Sequence, residues 1–325
     1  MPIDAKLRKM LEIFFCYDRK RTKALTDTKG LVAHYTTADT AMKIIRARSL
    51  WLRNAAVMND FSEIEYGKSV MQPVLQSDLG DRYRAALNSI REGLADDVMR
   101  RHTEHRNHAR EAVFTASLSE HDPDDRLGRL SMWRAYGGPV AGVALLFHGW
   151  AADLEIEPSL EVGVSPVLYG EPNDFVREFA DTIAHIEANI GLLKDFDPQI
   201  ISNAATNVLQ LSMFSIKHPG FAEEREWRIV HRPYEFSSAL VRPFNVAIGG
   251  IPQTVYELPF HNPAKGIEFN IPQLDLNAIL AAVMLGPCAY PETVFRALRD
   301  EMAAAGIEEP EKRIVVSNIP LRQQW

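Results

Sequence analysis

Cysteine is scarce: Cys16 and Cys288 are the only two in 325 residues. That excludes a disulfide scaffold and a cysteine-based zinc site, and it fits a reducing cytoplasm. Long apolar runs are also missing. Nothing approaches the roughly 18 consecutive apolar residues of a membrane-spanning helix. The N-terminal stretch carries its short apolar core, Met10 to Phe15, ahead of the basic cluster Arg19, Lys20, Arg21 and Lys23. A signal peptide has the reverse order, so export is not expected. Positive charge is not in excess, with 36 Lys and Arg against 43 Asp and Glu, a net −7. A bulk electrostatic nucleic-acid binder is therefore not indicated, although a local basic groove is compatible with this balance.

Familiar catalytic signatures are absent as well. There is no phosphate-binding G-x-x-x-x-G-K-[ST], no G-x-G-x-x-G, no G-x-S-x-G and no H-E-x-x-H. His102, His105 and His108 form an H-x-x-H-x-x-H run. At roughly 100° per residue the three cannot share one helix face, so the run reads as solvated surface.

The chain carries short strands dispersed among helices, without even alternation, which argues for an α+β fold. Residues 1–23 read as one amphipathic helix, the core of an N-terminal helical segment over 1–30. Its basic run reads as a solvated face, the other reading being a phosphate-contacting arm. LVAHYT (31–36) reads as a strand, followed by a helix with Thr37 as N-cap, and SLWLR (49–53) as the next strand. Helices follow from about Phe61 and over 81–110. Strands are expected at 112–118, 140–147 and 226–232, with a short SMWRAY turn between the first two. A helical insert broken at Pro198 spans about 174–214. A strand–helix–strand unit closes the chain, with Pro291 in the first helical turn. No linker rich in Gly, Ser or Pro divides it, so 31–325 reads as a single α+β domain.

Three constellations could carry chemistry. In His34-Tyr35-Thr36 the first and third residues share a strand face. They either bind ribose hydroxyls or form a satisfied core histidine and a cap. In Met58-Asn59-Asp60-Phe61-Ser62-Glu63 the Asn-Asp pair caps a helix, or Asp60, Glu63 and Glu65 collect a divalent metal. In Glu223-Glu224-Arg225-Glu226-Trp227-Arg228 two same-face carboxylates enter a strand. They either orient a ribose or nucleophile, or form an ion-paired edge.

The ordered set HYT, SLWLRNAAVMNDFSEIEYG, FTASLSEHDPDD, MWRAYGGPVAGVALLF, IKHPGFAEEREWRIV and VMLGP resembles the bacterial domain-of-unknown-function family 2971, over roughly residues 31 to 287. That family is in turn distantly similar to the ADP-ribosyltransferase superfamily. The His-x-Thr strand, the Ser117-Leu118-Ser119 middle motif and Glu224-Arg225-Glu226 match its pattern in type and order. Tyr35 stands where a glycine is usual. The resemblance implies an ADP-ribosyltransferase-like split mixed sheet with helical insertions, and an NAD-dependent transferase or NAD glycohydrolase, with NAD as substrate and no metal. It implies a toxin or phage-defence role, for which an antitoxin or regulatory partner would be expected. The acceptor is unassigned: protein, nucleic acid or water. Glu226 would stabilise the oxocarbenium-like transition state against the 2′-hydroxyl, and Glu224 would orient the acceptor. His34, Tyr35 and Thr36 would bind NAD, with Ser117 and Ser119 supporting the pocket. Tyr136 would stack on nicotinamide, core packing being the expected role of Trp133. Lys217 and Arg228 would contact pyrophosphate. Two other classes stand beside this one. One is a metal-dependent nuclease or phosphodiesterase using Asp60, Glu63, Glu224 and Glu226. The other is a non-catalytic binding module on the same fold.

Overall fold

The computed structural model describes residues 5–57, 61–138, 140–149, 158–248, 250–262, 265–268 and 274–320; for 61, 62, 107–111 and 158 it describes backbone alone. The N-terminal segment is two helices, α1 (Ala5–Phe14) and α2 (Cys16–Asp27), where the sequence suggests one. Phe14 and Phe15 are both buried. Neighbours on one straight helix point about 100° apart, and the break at Phe15 lets both rings reach the interior.

The first strand, β1 (Leu31–Thr37), ends where Thr37 caps α3 (Ala38–Ala47) by accepting from the Thr40 amide, as the sequence indicates. The chain returns through β2 (Ser49–Asn54). Helices α4 (Phe61–Leu75), α5 (Asp78–Ile90) and α6 (Leu94–Ala112) follow. The expected helix over 81–110 is thus divided. Gly93 takes a left-handed φ of 78° between α5 and α6, a conformation that suits glycine.

Next come β3 (Phe114–His121), α7 (Leu130–Tyr136) and β4 (Ala141–His148). SMWRAY is a two-turn helix, not a turn. It is anchored by Met132 and Trp133, which pack with Tyr35 on one sheet face. On that face a Cβ at Gly286 would lie 2.7 Å from the Trp133 ring, so only glycine leaves room for it there. Strands β5 (Val162–Pro166) and β6 (Leu168–Tyr169) precede the helical insert, α8 (Pro172–Ala188), α9 (Ile190–Leu193) and α10 (Pro198–Phe214). Pro198 opens α10, where its missing N–H costs nothing. The insert does not stand apart. It shares one apolar cluster with α1, α4, α5 and α6, including Met71, Tyr83, Phe179 and Leu209.

The chain then forms β7 (Ile216–Lys217), β8 (Glu226–His231), β9 (Arg242–Ile248) and β10 (Ile251–Pro259). It ends with α11 (Leu276–Ile279), β11 (Leu280–Cys288), α12 (Pro291–Ala304) and β12 (Ile314–Val316). Strand order in the main sheet is β12-β11-β4-β1-β3-β2-β10-β9, with β8 beside β3 and β5 beside β8. Pairing is antiparallel except for β11 with β12. Among the described residues no helix is long and apolar enough to cross a membrane.

The two edges of β3 are paired differently. On one edge, β3 pairs continuously with β8 from Phe114 to Ser119. The other edge is shared by two strands. β1 takes Ser119 to His121, and β2 takes only Phe114 and Thr115. Among the described residues Ala116, Ser117 and Leu118 have no strand partner on that edge. The sheet is split there, and β1 and β2 diverge from the split.

Candidate functional site

The split opens into a cleft of about 680 Å³, lined among others by His34, Thr36, Trp51, Arg53, Ser117 and Tyr136. Strand alternation sets the two walls. His34 and Thr36 are two apart on β1, and Trp51 and Arg53 are two apart on β2, so each pair shares a face. Leu50 and Leu52, between and beside them, go into the core instead. Ser117 belongs to the unpaired stretch of β3 at the floor.

His34 closes the open edge chemically. Its Nδ1 lies 3.0 Å from the Ser117 carbonyl oxygen. A carbonyl only accepts, so Nδ1 is the donor and carries the proton, and in the neutral ring Nε2 is left as an acceptor. Burial lowers the His34 pKa, against the opposing pull of that hydrogen bond, so the ring is neutral near pH 7. Arg53 donates to Gln253 at 3.2 Å, and burial lowers its pKa too. Trp51 meets Phe244 edge to face. Thr115 Oγ1, also in the cleft wall, is buried with no hydrogen-bond partner among the described residues. The cleft thus offers a neutral histidine acceptor, several hydroxyls, two aromatic rings and one guanidinium. Asp39, at its rim, is the carboxylate among the described lining residues, and it is paired with Lys43 at 2.7 Å.

Tyr35 contributes to the cleft from β1, but its ring packs edge to face on Trp133 and its hydroxyl accepts from the Arg129 amide. Ser119 is fully buried and donates to the Glu224 carbonyl, outside the cleft. Glu224, Glu226, Lys217 and Arg228 are not cleft residues either. They form an ion cluster one strand further on, with Glu63 of α4; Glu63, Lys217, Glu226 and Arg228 are buried and Glu224 is half-buried at its margin. The Lys217 Nζ lies 2.7 Å from each of Glu63, Glu224 and Glu226. Arg228 donates to Glu226 at 2.9 Å, to Glu63, and to the Phe214 carbonyl. Burial pushes the Glu226 pKa up, but Arg228 and Lys217 outweigh it and hold the carboxyl down at about 2.

The assignment of Glu226 and Glu224 to a bound ribose, and of Lys217 and Arg228 to a pyrophosphate, therefore meets a geometric obstacle. Each of these groups is already committed to the others. The physical reason is burial: ionised groups at this depth must be paired. Glu63, Glu224 and Glu226 do converge, as a metal-dependent nuclease would need, but on an ammonium group. Asp60 lies outside the described residues. Among the described residues no group of three or more His, Cys, Asp or Glu side chains is arranged to hold a metal ion.

Sequence reasoning missed Trp51 and Arg53. The signal was present in SLWLR, where a bulky amphipathic ring and a cation alternate with the two leucines of a core-facing strand.

A family model described as "Protein of unknown function (DUF2971)" matches residues 132–229. This is shorter than the resemblance read from the sequence. It runs from α7 to β8 and takes in Lys217, Glu224, Glu226 and Arg228, but neither His34 nor Arg53. No curated protein and no solved structure matches the chain.

Proposed function

We propose that the split-sheet cleft is a dinucleotide site of the NAD type, and that the protein acts on the bond between nicotinamide and ribose, as an ADP-ribosyltransferase or an NAD glycohydrolase. The observation that carries this reading is the split itself. It brings His34, Thr36 and Ser117, drawn from two sequence motifs, around one cavity of dinucleotide size. His34 Nε2 accepts from a ribose hydroxyl, and the Thr36 and Ser117 hydroxyls complete that contact. Arg53 meets a phosphate with its forked donors, the geometry in which guanidinium excels. Trp51 and Tyr136 offer faces for the base and the nicotinamide ring. In this reading Glu63, Glu224, Glu226, Lys217 and Arg228 hold β8 and the floor strand in place.

A second reading, a binding module without catalysis, is favoured by one specific observation. The carboxylate that an oxocarbenium-like transition state calls for is not among the described cleft residues, Asp39 at the rim excepted. Calorimetry with NAD and assay of free nicotinamide separate the two. The transferase or glycohydrolase reading expects binding and nicotinamide release that survive excess EDTA. Binding without release supports the module. Absence of binding overturns both. His34→Ala should weaken NAD affinity about 5- to 150-fold, the equivalent of about 1–3 kcal/mol for an unpaired polar group. Unchanged affinity with a collapsed melting temperature would show that His34 serves the fold alone.

A further inference from the structure

The histidine run on α6 is not the solvated surface that its spacing suggests. His102 is 4% exposed, and His105 is half-buried, in contact with Gln210 and 3.4 Å from Glu235. His108 has no described side chain. The turn of α6 that carries His102 faces a second pocket, distinct from the cleft, between α4, α5, α6 and α10.

This pocket has a volume of about 180 Å³. That is many times the roughly 10–15 Å³ that one water needs on the same measure. Lys68, Gln72 and Gln76 line it from the α4 side, Arg84 from α5, and His102 and Arg106 from α6. No carboxylate lines it among the described residues. Its three cations are weakly neutralised. Lys68 meets Glu65 at 2.8 Å and Arg84 meets Asp81 at 3.0 Å, and both acids are more than half exposed. Exposed pairs of this kind hold each other by only about 0–1 kcal/mol. Arg106 makes no hydrogen bond or ion pair among the described residues. His102 Nδ1 is sealed from solvent and has no hydrogen-bond partner among them.

We infer that this pocket is a phosphate site, taking the dianionic group of a small phosphomonoester or free phosphate between Lys68, Arg84 and Arg106, with the two glutamine amides as further donors and His102 in the wall beside them. Two observations point the same way. Like charges converge on a concave space whose described lining holds no acid, the two carboxylates that meet them, Glu65 and Asp81, being exposed and outside it. Such convergence raises the energy of the empty state, and an anion relieves it. In addition, the amides of Gln72 and Gln76 and the forked guanidinium groups suit oxygens distributed on a tetrahedral centre better than a spherical halide. His102 belongs to the lining, although its sealed Nδ1 faces away from the open space, so the ring senses the charge of an occupant without that nitrogen touching it. The ring thus reports on occupancy. Burial, followed by the charges of Arg106 and His105, lowers the His102 pKa to about 4. A bound dianion opposes the last two effects and must raise it. The pocket shares none of its lining residues with the split-sheet cleft, so the two are separate cavities.

The test uses the full chain at fixed ionic strength set with potassium chloride. Inorganic phosphate, glycerol phosphate and adenosine monophosphate are titrated separately. Melting temperature and the imidazole resonances are followed by calorimetry and NMR. Expected are a melting temperature that rises with ligand concentration and an upward move of the His102 titration. Arg106→Gln should weaken binding about tenfold or more while leaving the apo melting temperature nearly unchanged. The tighter arm identifies the source, free phosphate or a phosphate ester. Adenosine monophosphate bound in the cleft would be indifferent to Arg106→Gln, which keeps the two sites distinguishable. No response beyond that of chloride overturns the proposal. So does a response that Arg106→Gln leaves intact and that does not move His102.

Discussion

Replacing Lys217 by methionine should destabilise the protein out of proportion to the loss of one lysine. Lys217 is 1% exposed and its ammonium is 2.7 Å from each of three carboxylates. With Lys217 and Arg228 against Glu63, Glu224 and Glu226 the cluster carries a formal −1; without Lys217 it carries −2. Breaking a buried pair while its partners stay ionised costs about 3–5 kcal/mol. The Glu226 carboxyl reports what Arg228, first, and Lys217 together achieve against burial. Lowered from its ordinary 4.5 to about 2, it contributes roughly 3 kcal/mol at about 1.4 kcal/mol per pH unit. Because the folded value lies below the unfolded one, this stability is present above about pH 4.5 and is lost as the pH falls towards 2. Urea unfolding of wild type and Lys217→Met at pH 7, repeated down to pH 3, measures both effects. The expected result is a loss of about 3–5 kcal/mol at pH 7 and acid unfolding that begins at higher pH. Glu226→Gln is the control. It should flatten the acid limb between 4.5 and 2, since the titrating group is gone. A loss below about 1 kcal/mol, the range of an exposed pair, with an unchanged acid limb would refute the cluster as a paired, desolvated unit.

Two further outcomes concern the elements that frame the cleft. Thr37→Ala removes the side chain that caps α3 and should cost about 1 kcal/mol by chemical denaturation, with Thr37→Ser restoring most of it. Gly286→Ala places a methyl group 2.7 Å from the Trp133 ring and should cost about 1–3 kcal/mol by overpacking, with a shift in tryptophan emission; an unperturbed melting curve and spectrum would show that the ring has room.

Local patterns make much of the fold legible. The Thr37 cap, Pro198 opening α10 and Pro291 opening α12 are decided within a few residues of chain. The short apolar run that opens LVAHYT places β1 without reference to anything distant. What the sequence hides depends on partners far along the chain. Glu63 and Arg228 are 165 residues apart, and neither NDFSE nor EREWR says by itself that they meet. The Glu-x-Glu at a strand entry reads equally as a reactive pair or an ion-paired edge, and the structure pairs it. Spacing misleads for His102 because it defines angles around the helix. It does not say whether a neighbouring helix covers the face, and α4 and α10 contribute to the pocket that this one lines. The break at Phe15 likewise follows from two aromatic residues seeking one interior, a demand that an amphipathic count over 1–23 does not register.

The cleft and the ion cluster are linked through β3. Ser117 faces the cleft edge with its carbonyl bound by His34, and on its other edge it is in register with Arg228. An edge left open inside a sheet exposes backbone groups that would otherwise be paired, and a strand in that position is free to slip unless something else fixes it. Here β8 fixes it. Its inward side chains Glu226 and Arg228 are tied to Glu63 of α4 and Lys217 of β7, so the floor strand is anchored to the helical layer as well as to its neighbour. The cluster is thereby a structural condition for the cleft even though it contributes no atom to its wall. The family match covers residues 132–229, whereas the cleft draws also on β1 and β2. The matched segment supplies β8 and most of the clamp, and the N-terminal strands supply His34, Thr36, Trp51 and Arg53 of the cleft wall.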